Sequence, residues 1–421
     1  MKILWVVNSV FPEPSKNLGM GSPPSGGWMF GLANDIANSG HELSVVTVLN
    51  GSTEYYKNIK GIDYYILSGE KQITEYDSSL EAKWATIVAK IKPDIVQIHG
   101  MEFAHGLALL KSVPKLNYSI SIQGILSECY RYYTGEIPIG EIQKCKTLRD
   151  YLKNDGILEA KEKYRKRSER VEKKYFELAS NIIGRSEWDA DHTRTLNPKA
   201  KYYRCNDSLR DSFYTSRKWN IKNKKSDTIF LSQATYPLKG FHKVLEAVNL
   251  IKIDFPDVMI RIAGNNILKA SSFKEKLKRR GYAKYLLKLI KKFNLQQNVE
   301  FTGILDEQGM VAEFLNSNVF ICPSSIENCS NSVGEAQLLG VPCIASYVGG
   351  VPDMIVHGET GLLYRFDAIE MLAQRIKDVF ENEDLALRLS ENSIGSAIKR
   401  HDRLANLKTT LKIYEEVIST S

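Results

Sequence analysis

Two doubly wound α/β domains are predicted by three features of this 421-residue chain. Short β-branched runs alternate with longer helical patterns, the alternation occurs twice, and a polar, basic stretch separates the halves. KILWVVN, ELSVVTVL, DIVQIHG and SISIQG in the first half, and TIFLSQA, VMIRIAGN, NVEFTG, VFICPSS and PCIAS in the second, read as strands. Strands joined by helical crossovers form parallel sheets. The separating stretch, Thr215 to Asp227, lacks apolar periodicity. The expected division is therefore 1–215 and 226–400, with 401–421 a C-terminal helix packing back on the first domain. Ligands on such sheets bind beyond the carboxyl ends of the strands, so two facing domains would make a deep cleft.

Composition narrows the class. A chain with 43% hydrophobic and 25% charged residues has the profile of a soluble globular protein with a large core. The N-terminal MKILWVVNSVFPEPS is too short an apolar run for a signal peptide or a membrane span and reads as a buried first strand. The six Cys show no paired spacing and no companion His, so neither a disulfide framework nor a metal site is expected. A cytoplasmic setting fits. The net charge of +8 suits anionic partners, yet nothing resembles an aromatic-basic surface or a recognition helix, so nucleic acid is not expected.

The most informative stretch is PSSIENCSNSVGEAQLLGVPCIASYVGGVPDMI, Pro323 to Ile355. VFICPSS ends a strand and GEAQLLG opens a helix, which puts Glu327 and Glu335 at a strand's carboxyl end. Ser332 with Glu335 three residues on reads as a capping box, a sufficient structural reason for Glu335. Small residues over free N–H groups at 330–334 also describe an anion site suited to a diphosphate. Glu327 beside that anion would be repulsive unless it met a hydroxyl-rich group such as a sugar.

Glu327, seven intervening residues and Glu335, followed by GVPCIAS, VGGVPDMI and GETGLLY, resemble the retaining glycosyltransferases of family four. GGWMFGLANDIANSGHELSVVT resembles that family's N-terminal Gly-Gly loop and following strand, and YPLKGFHKVLEAV its Lys-Gly segment. The resemblance covers nearly the whole chain and implies the GT-B fold, two Rossmann-like domains facing across a cleft. It also implies metal-independent, cofactor-free transfer of a sugar from a UDP- or GDP-linked donor with retention at the anomeric carbon. The acceptor would be a glycan or a lipid-linked precursor in cell-envelope synthesis. Under the resemblance Lys239 is the cation that meets the diphosphate, and Asn331, Ser332 and Val333 supply the helix N-terminus. Gly26 and Gly27 let the first domain's backbone approach, Ser232 and Gly264 line the donor side, Glu335 holds the ribose, and Glu327 faces the donor sugar. Front-face substitution and double displacement through Glu327 are both open.

Two positions depart from the family. Gln123 stands where the family commonly has His, and no Arg occurs near Gln233 or Ala234, for which Ser232 or Arg261 would substitute. A non-catalytic nucleotide-sugar-binding homologue is therefore the alternative. His99, ending a first-half strand, is an acceptor-side candidate or a structural histidine. Lys274 to Lys292 reads as a basic amphipathic helix, either packed on its domain or docked on the anionic inner face of a membrane.

Overall fold

The computed structural model describes residues 1–20, 27–223, 225, 227–270 and 272–420. The chain divides into two compact units: residues 1–127, 165–209 and 401–421 form the first, and 128–164 and 210–400 the second. The division differs from the expected one at 128–164. Its place in sequence puts this helical excursion in the first domain, but it packs within the second unit, on the helix Gly281–Lys292. Its contacts are long-range, and no local pattern encodes them.

The first unit is built on an eight-stranded sheet. In chain order its strands are β1 (Lys2–Val6), β2 (Glu42–Asn50), β3 (Tyr55–Ile59), β4 (Ile62–Gly69), β5 (Ile95–His99), β6 (Tyr118–Ser121), β7 (Asn181–Gly184) and β8 (Lys201–Arg204). Spatially they run β3-β4-β2-β1-β5-β6-β7-β8, and only the β3–β4 hairpin is antiparallel. Period-two alternation along a strand sends neighbours to opposite faces. Leu4 and Val6 accordingly enter one core with Trp84 and Tyr175, while Ile3 and Trp5 enter another with Met29, Ile36 and Tyr414. Helices thus cover both faces, which is why these strands read as continuous apolar runs. The terminal helix Arg403–Ser419 belongs to this unit, where Trp5 Nε1 donates to the buried Tyr414 Oη at 2.9 Å and Tyr414 donates to Gln97.

The second unit holds β9 (Thr228–Leu231), β10 (Met259–Ala263), β11 (Val299–Gly303), β12 (Val319–Cys322), β13 (Cys343–Ser346) and β14 (Leu362–Tyr364). Their order is β11-β10-β9-β12-β13-β14, parallel throughout. β9 and β12 are neighbours in the sheet although 87 residues separate their ends, so the loops after them emerge side by side at the carboxyl edge.

The basic stretch from Lys274 to Lys292 is two helices, Phe273–Leu277 and Gly281–Lys292, broken at 278–280. Tyr282, Tyr285, Leu286, Leu289 and Ile290 of the second are buried. Lys288 pairs with Glu141, and Lys284 donates to the Lys144 carbonyl at 3.0 Å. Packing therefore accounts for the apolar face and for two of its lysines. Among the described residues no helix is long and apolar enough to cross a membrane.

Candidate functional site

Because β9 and β12 lie side by side, the loops that follow them bring two of the expected residues together. After β9 the chain turns through Pro237–Lys239 into the helix Phe241–Ile251. After β12 it runs through Pro323–Ser330 into the helix Asn331–Leu339. Lys239 Nζ donates to Glu327 Oε2 at 2.7 Å, and Ser324 Oγ donates to the same oxygen at 3.0 Å. The pair is largely enclosed, with side chains 20% and 18% exposed. Burial disfavours the ammonium, but the Glu327 carboxylate outweighs it and holds Lys239 above its ordinary pKa.

Two glycines allow the loops to close on one another. Gly240 has φ +66°, and a Cβ there would lie 1.7 Å from the Pro323 carbonyl oxygen. Gly349 has φ +49°, and a Cβ there would lie 2.0 Å from the Glu327 carbonyl oxygen, which accepts the Gly350 N–H at 3.0 Å. Only glycine accepts both the left-handed backbone and the contact. The close approach fixes the main chain of Glu327, and with it the carboxylate.

The expected capping box is absent. The helix begins at Asn331 with Ser330 as N-cap, so Ser332 lies inside the first turn and its hydroxyl does not cap. Glu335 turns instead to Arg210, whose Nε and Nη2 donate to its two oxygens at 2.7 Å each. Burial pushes the Glu335 carboxyl above its usual range, and the guanidinium opposes that push. The fork takes one lone pair per oxygen and leaves acceptor capacity for ligand hydroxyls. Asn331 and Ser332 are half-buried in the first turn, where backbone N–H groups have no intrahelical acceptor, and Val333 is buried.

Ser232 follows β9, and Gly264 follows β10, where its N–H donates to the Gly303 carbonyl at 2.8 Å. Both therefore lie at the carboxyl edge that carries Lys239 and Glu327. Arg261 does not join them. It lies within β10 and is held by Glu313 and Glu300, so it cannot stand in for the missing Arg. Gly27 opens the helix Gly27–Asn38 of the first unit, and Gly26 lies outside the described residues.

No sequence motif marks Arg210. It sits in a polar segment, and its importance comes from the partner it reaches 125 residues away. Arg210→Ala should leave a buried carboxylate uncompensated and cost about 3–5 kcal/mol. Urea unfolding at pH 7 checks this, and a loss within the usual surface range would contradict it.

In the first unit, Gln123 follows β6 and His99 ends β5. His99 is buried with its ring edge-on to Trp5 at 4.4 Å, and burial lowers its pKa to about 3, so it is neutral. The Gln123 carbonyl accepts from Arg185 at 3.2 Å. The Gln123 side-chain amide has no hydrogen-bond partner among the described residues. A small cavity lined by Gln97, His99, Ser121, Gln123, Arg185 and Asp207 brings these groups together.

Glu102 adjoins this edge with Oε2 buried and without a hydrogen bond. Burial pushes its carboxyl up to about 7, with Arg167 and the Gly124 N–H opposing and Glu172 adding to the rise. Below the ordinary carboxylate value both folded and unfolded chains hold the proton. As pH rises toward 7 only the folded chain keeps it, so stability falls. Wild type should lose up to about 3 kcal/mol between pH 4.5 and 8 that Glu102→Gln does not lose. Parallel unfolding curves for the two proteins across that range would contradict this.

Among the described residues no group of three or more His, Cys, Asp or Glu could hold a metal ion. Residues 213–395, all within the second unit, match the family model of glycosyl transferases group 1. The capsular polysaccharide biosynthesis glycosyltransferase CapM of Staphylococcus aureus is 26% identical over 43% of this chain and 42% of its own length. The chain spans about a third to a half of the length of CapM and two other curated relatives that it matches. Sucrose-phosphate synthase from Thermosynechococcus elongatus superimposes with TM-score 0.71 at 15% identity, covering 100% of both chains. Anabaena HepE, solved in complex with UDP-glucose, does so with TM-score 0.63 at 16% identity, again covering 100% of both. The fold is GT-B, with two parallel-sheet α/β domains.

Proposed function

We propose that this chain is a glycosyltransferase that moves a sugar from a nucleoside diphosphate to a glycan or lipid-linked acceptor, retaining the anomeric configuration. The observation that carries the reading is the pairing of Lys239 with Glu327 beside the helix N-terminus at Asn331, inside the segment that matches group 1 transferases. When the anomeric bond breaks, the nucleoside diphosphate leaves with new negative charge. An ammonium and a helix N-terminus held in place can stabilise that charge without a metal ion. Lys239 would exchange its Glu327 partner for the diphosphate, freeing the Glu327 carboxylate for the sugar hydroxyls and the positive charge developing at the anomeric carbon. Glu335, oriented by Arg210, would accept the ribose hydroxyls.

UDP-glucose bound to HepE supports a UDP-linked donor, and the likeness to CapM supports an acceptor in envelope polysaccharide synthesis. Membrane association and a cytoplasmic site belong to the same reading, because lipid-linked precursors are met at a membrane face. A thermal-shift screen of UDP-, GDP- and ADP-linked sugars, followed by anomeric proton couplings in the product, tests the proposal. Binding raises the melting point by mass action. An inverted product would contradict retention, and activity lost to EDTA would contradict metal independence.

A second reading, nucleotide-sugar binding without transfer, is favoured by one observation: Gln233 is exposed and Ala234 buried where the family carries Arg, and Arg261 is engaged elsewhere. Binding of a donor with no turnover would select it.

Gln123 separates the two readings further. An amide does not titrate between pH 5 and 8, whereas His does. If Gln123 bonds the donor sugar or phosphate, Gln123→Ala should cost about 1–3 kcal/mol of transition-state stabilisation, roughly 5 to 150-fold in turnover. Gln123→His should stay active and acquire a pH dependence near neutrality. Steady-state rates from pH 5.5 to 8.5 check both, and full activity in Gln123→Ala would remove Gln123 from the site.

A further inference from the structure

The second unit contains a cavity of about 320 Å³ whose lining includes Arg149, Lys269, Lys278, Arg279 and Arg280, with Glu275 as its one carboxylate. None of Lys239, Glu327, Asn331, Ser332, Glu335 and Gly264 lines it. Thr235, on the loop leading to Lys239, is among its lining residues. The volume is that of a small-ligand pocket.

The side chains of Arg149 and Arg280, and the main chain that carries Lys269 and Arg279, are held in place by the protein. Asp155 accepts from Arg149 Nη2 at 3.1 Å and forms an ion pair with Arg280 Nη2 at 3.0 Å, tying the helix Leu148–Lys153 to the break at 278–280. Thr147 Oγ1 donates to the Arg279 carbonyl at 2.9 Å, and the Asn266 side chain accepts the Lys269 N–H at 3.0 Å. That arrangement leaves Lys269, Lys278 and Arg279 without a carboxylate in ion-pair range among the described residues. Arg279 Nε is buried and donates no hydrogen bond among the described residues, and Arg149 Nη1 has only the Asp150 carboxylate at 3.8 Å, beyond hydrogen-bond reach.

Guanidinium N–H groups in such a position are costly without an acceptor, and like charges this close repel one another. A planar fork beside point-charge ammoniums suits the multiple oxygens of a phosphate or diphosphate. Leu148, Tyr151 and Leu152, on the helix that carries Arg149, are 62%, 66% and 76% exposed. Exposed apolar side chains on the element that carries Arg149 suit a phosphate borne on a lipid.

We propose that this cavity is a second anion site, binding the phosphate or diphosphate group of a molecule other than the nucleotide donor. The inference is independent of the glycosyl-transfer reading. The test compares wild type, Lys269→Gln/Lys278→Gln/Arg279→Gln and Lys239→Ala. Inorganic pyrophosphate is titrated by calorimetry, and sedimentation with phosphatidylcholine vesicles is measured with and without phosphatidic acid. Unfolding curves confirm that each variant folds. The expected result is pyrophosphate binding at a site that the triple variant weakens at least tenfold and Lys239→Ala leaves intact. Sedimentation dependent on phosphatidic acid and lost in the triple variant assigns the group to a lipid. Pyrophosphate binding without sedimentation assigns it to a soluble phosphate. No binding of either probe by wild type, or binding lost in Lys239→Ala and unchanged in the triple variant, overturns the site.

Discussion

Glu327→Gln should lower sugar transfer by about 10²–10³-fold, the range for removing one group aimed at charge that develops in the transition state. Nucleoside diphosphate affinity should hold or rise. The ion pair gives the reason: Lys239 Nζ rests 2.7 Å from Glu327 Oε2, and a diphosphate must draw the ammonium away from that carboxylate. Neutralising Glu327 removes the competitor and one repulsive charge beside the anion. The amide keeps the shape and can still accept from Ser324, so the loop closed by Gly349 should remain in place. Rate and affinity measured on the same protein separate the effects, and equal loss of both would end the assignment of Glu327 to the sugar.

Lys239→Ala should weaken nucleoside diphosphate binding by about 2 kcal/mol, roughly 30-fold, since a charge-assisted hydrogen bond to a buried anion is lost. Glu327 is then left enclosed without its cation and facing the diphosphate, so turnover should fall further than binding does. The cation meets charge present in both ground and transition states, which is why KM rises along with the fall in kcat. Unchanged diphosphate affinity in a folded Lys239→Ala protein would mean that Lys239 serves only to hold Glu327.

The strands were legible because helices cover both faces of the first sheet and because β9, β12 and β13 of the second are buried end to end. Runs such as IFL of β9 and VFIC of β12 are apolar throughout, and their ends locate the loops that carry Lys239 and Glu327. Glu335 was legible as a residue and misread as an interaction. Ser-x-x-Glu has the right spacing for a cap, but the helix starts one residue after Ser330, and a guanidinium from outside the motif takes the carboxylate. Arg210, the placement of 128–164 and the break at 278–280 depend on contacts between distant segments. Periodicity reports which side of an element is buried and not what buries it. The basic stretch shows this best, because its apolar face could as well have met lipid as the helix it packs against.

The most direct measurement is release of nucleoside diphosphate from UDP-glucose, UDP-N-acetylglucosamine and GDP-mannose, by wild type and by Glu327→Gln, in the presence of lipid-linked acceptors. The account predicts release by wild type from at least one donor, and a drop of about 10² or more in Glu327→Gln although that donor still binds it. Equal release by the two proteins, or donor binding by wild type with no release, would contradict it.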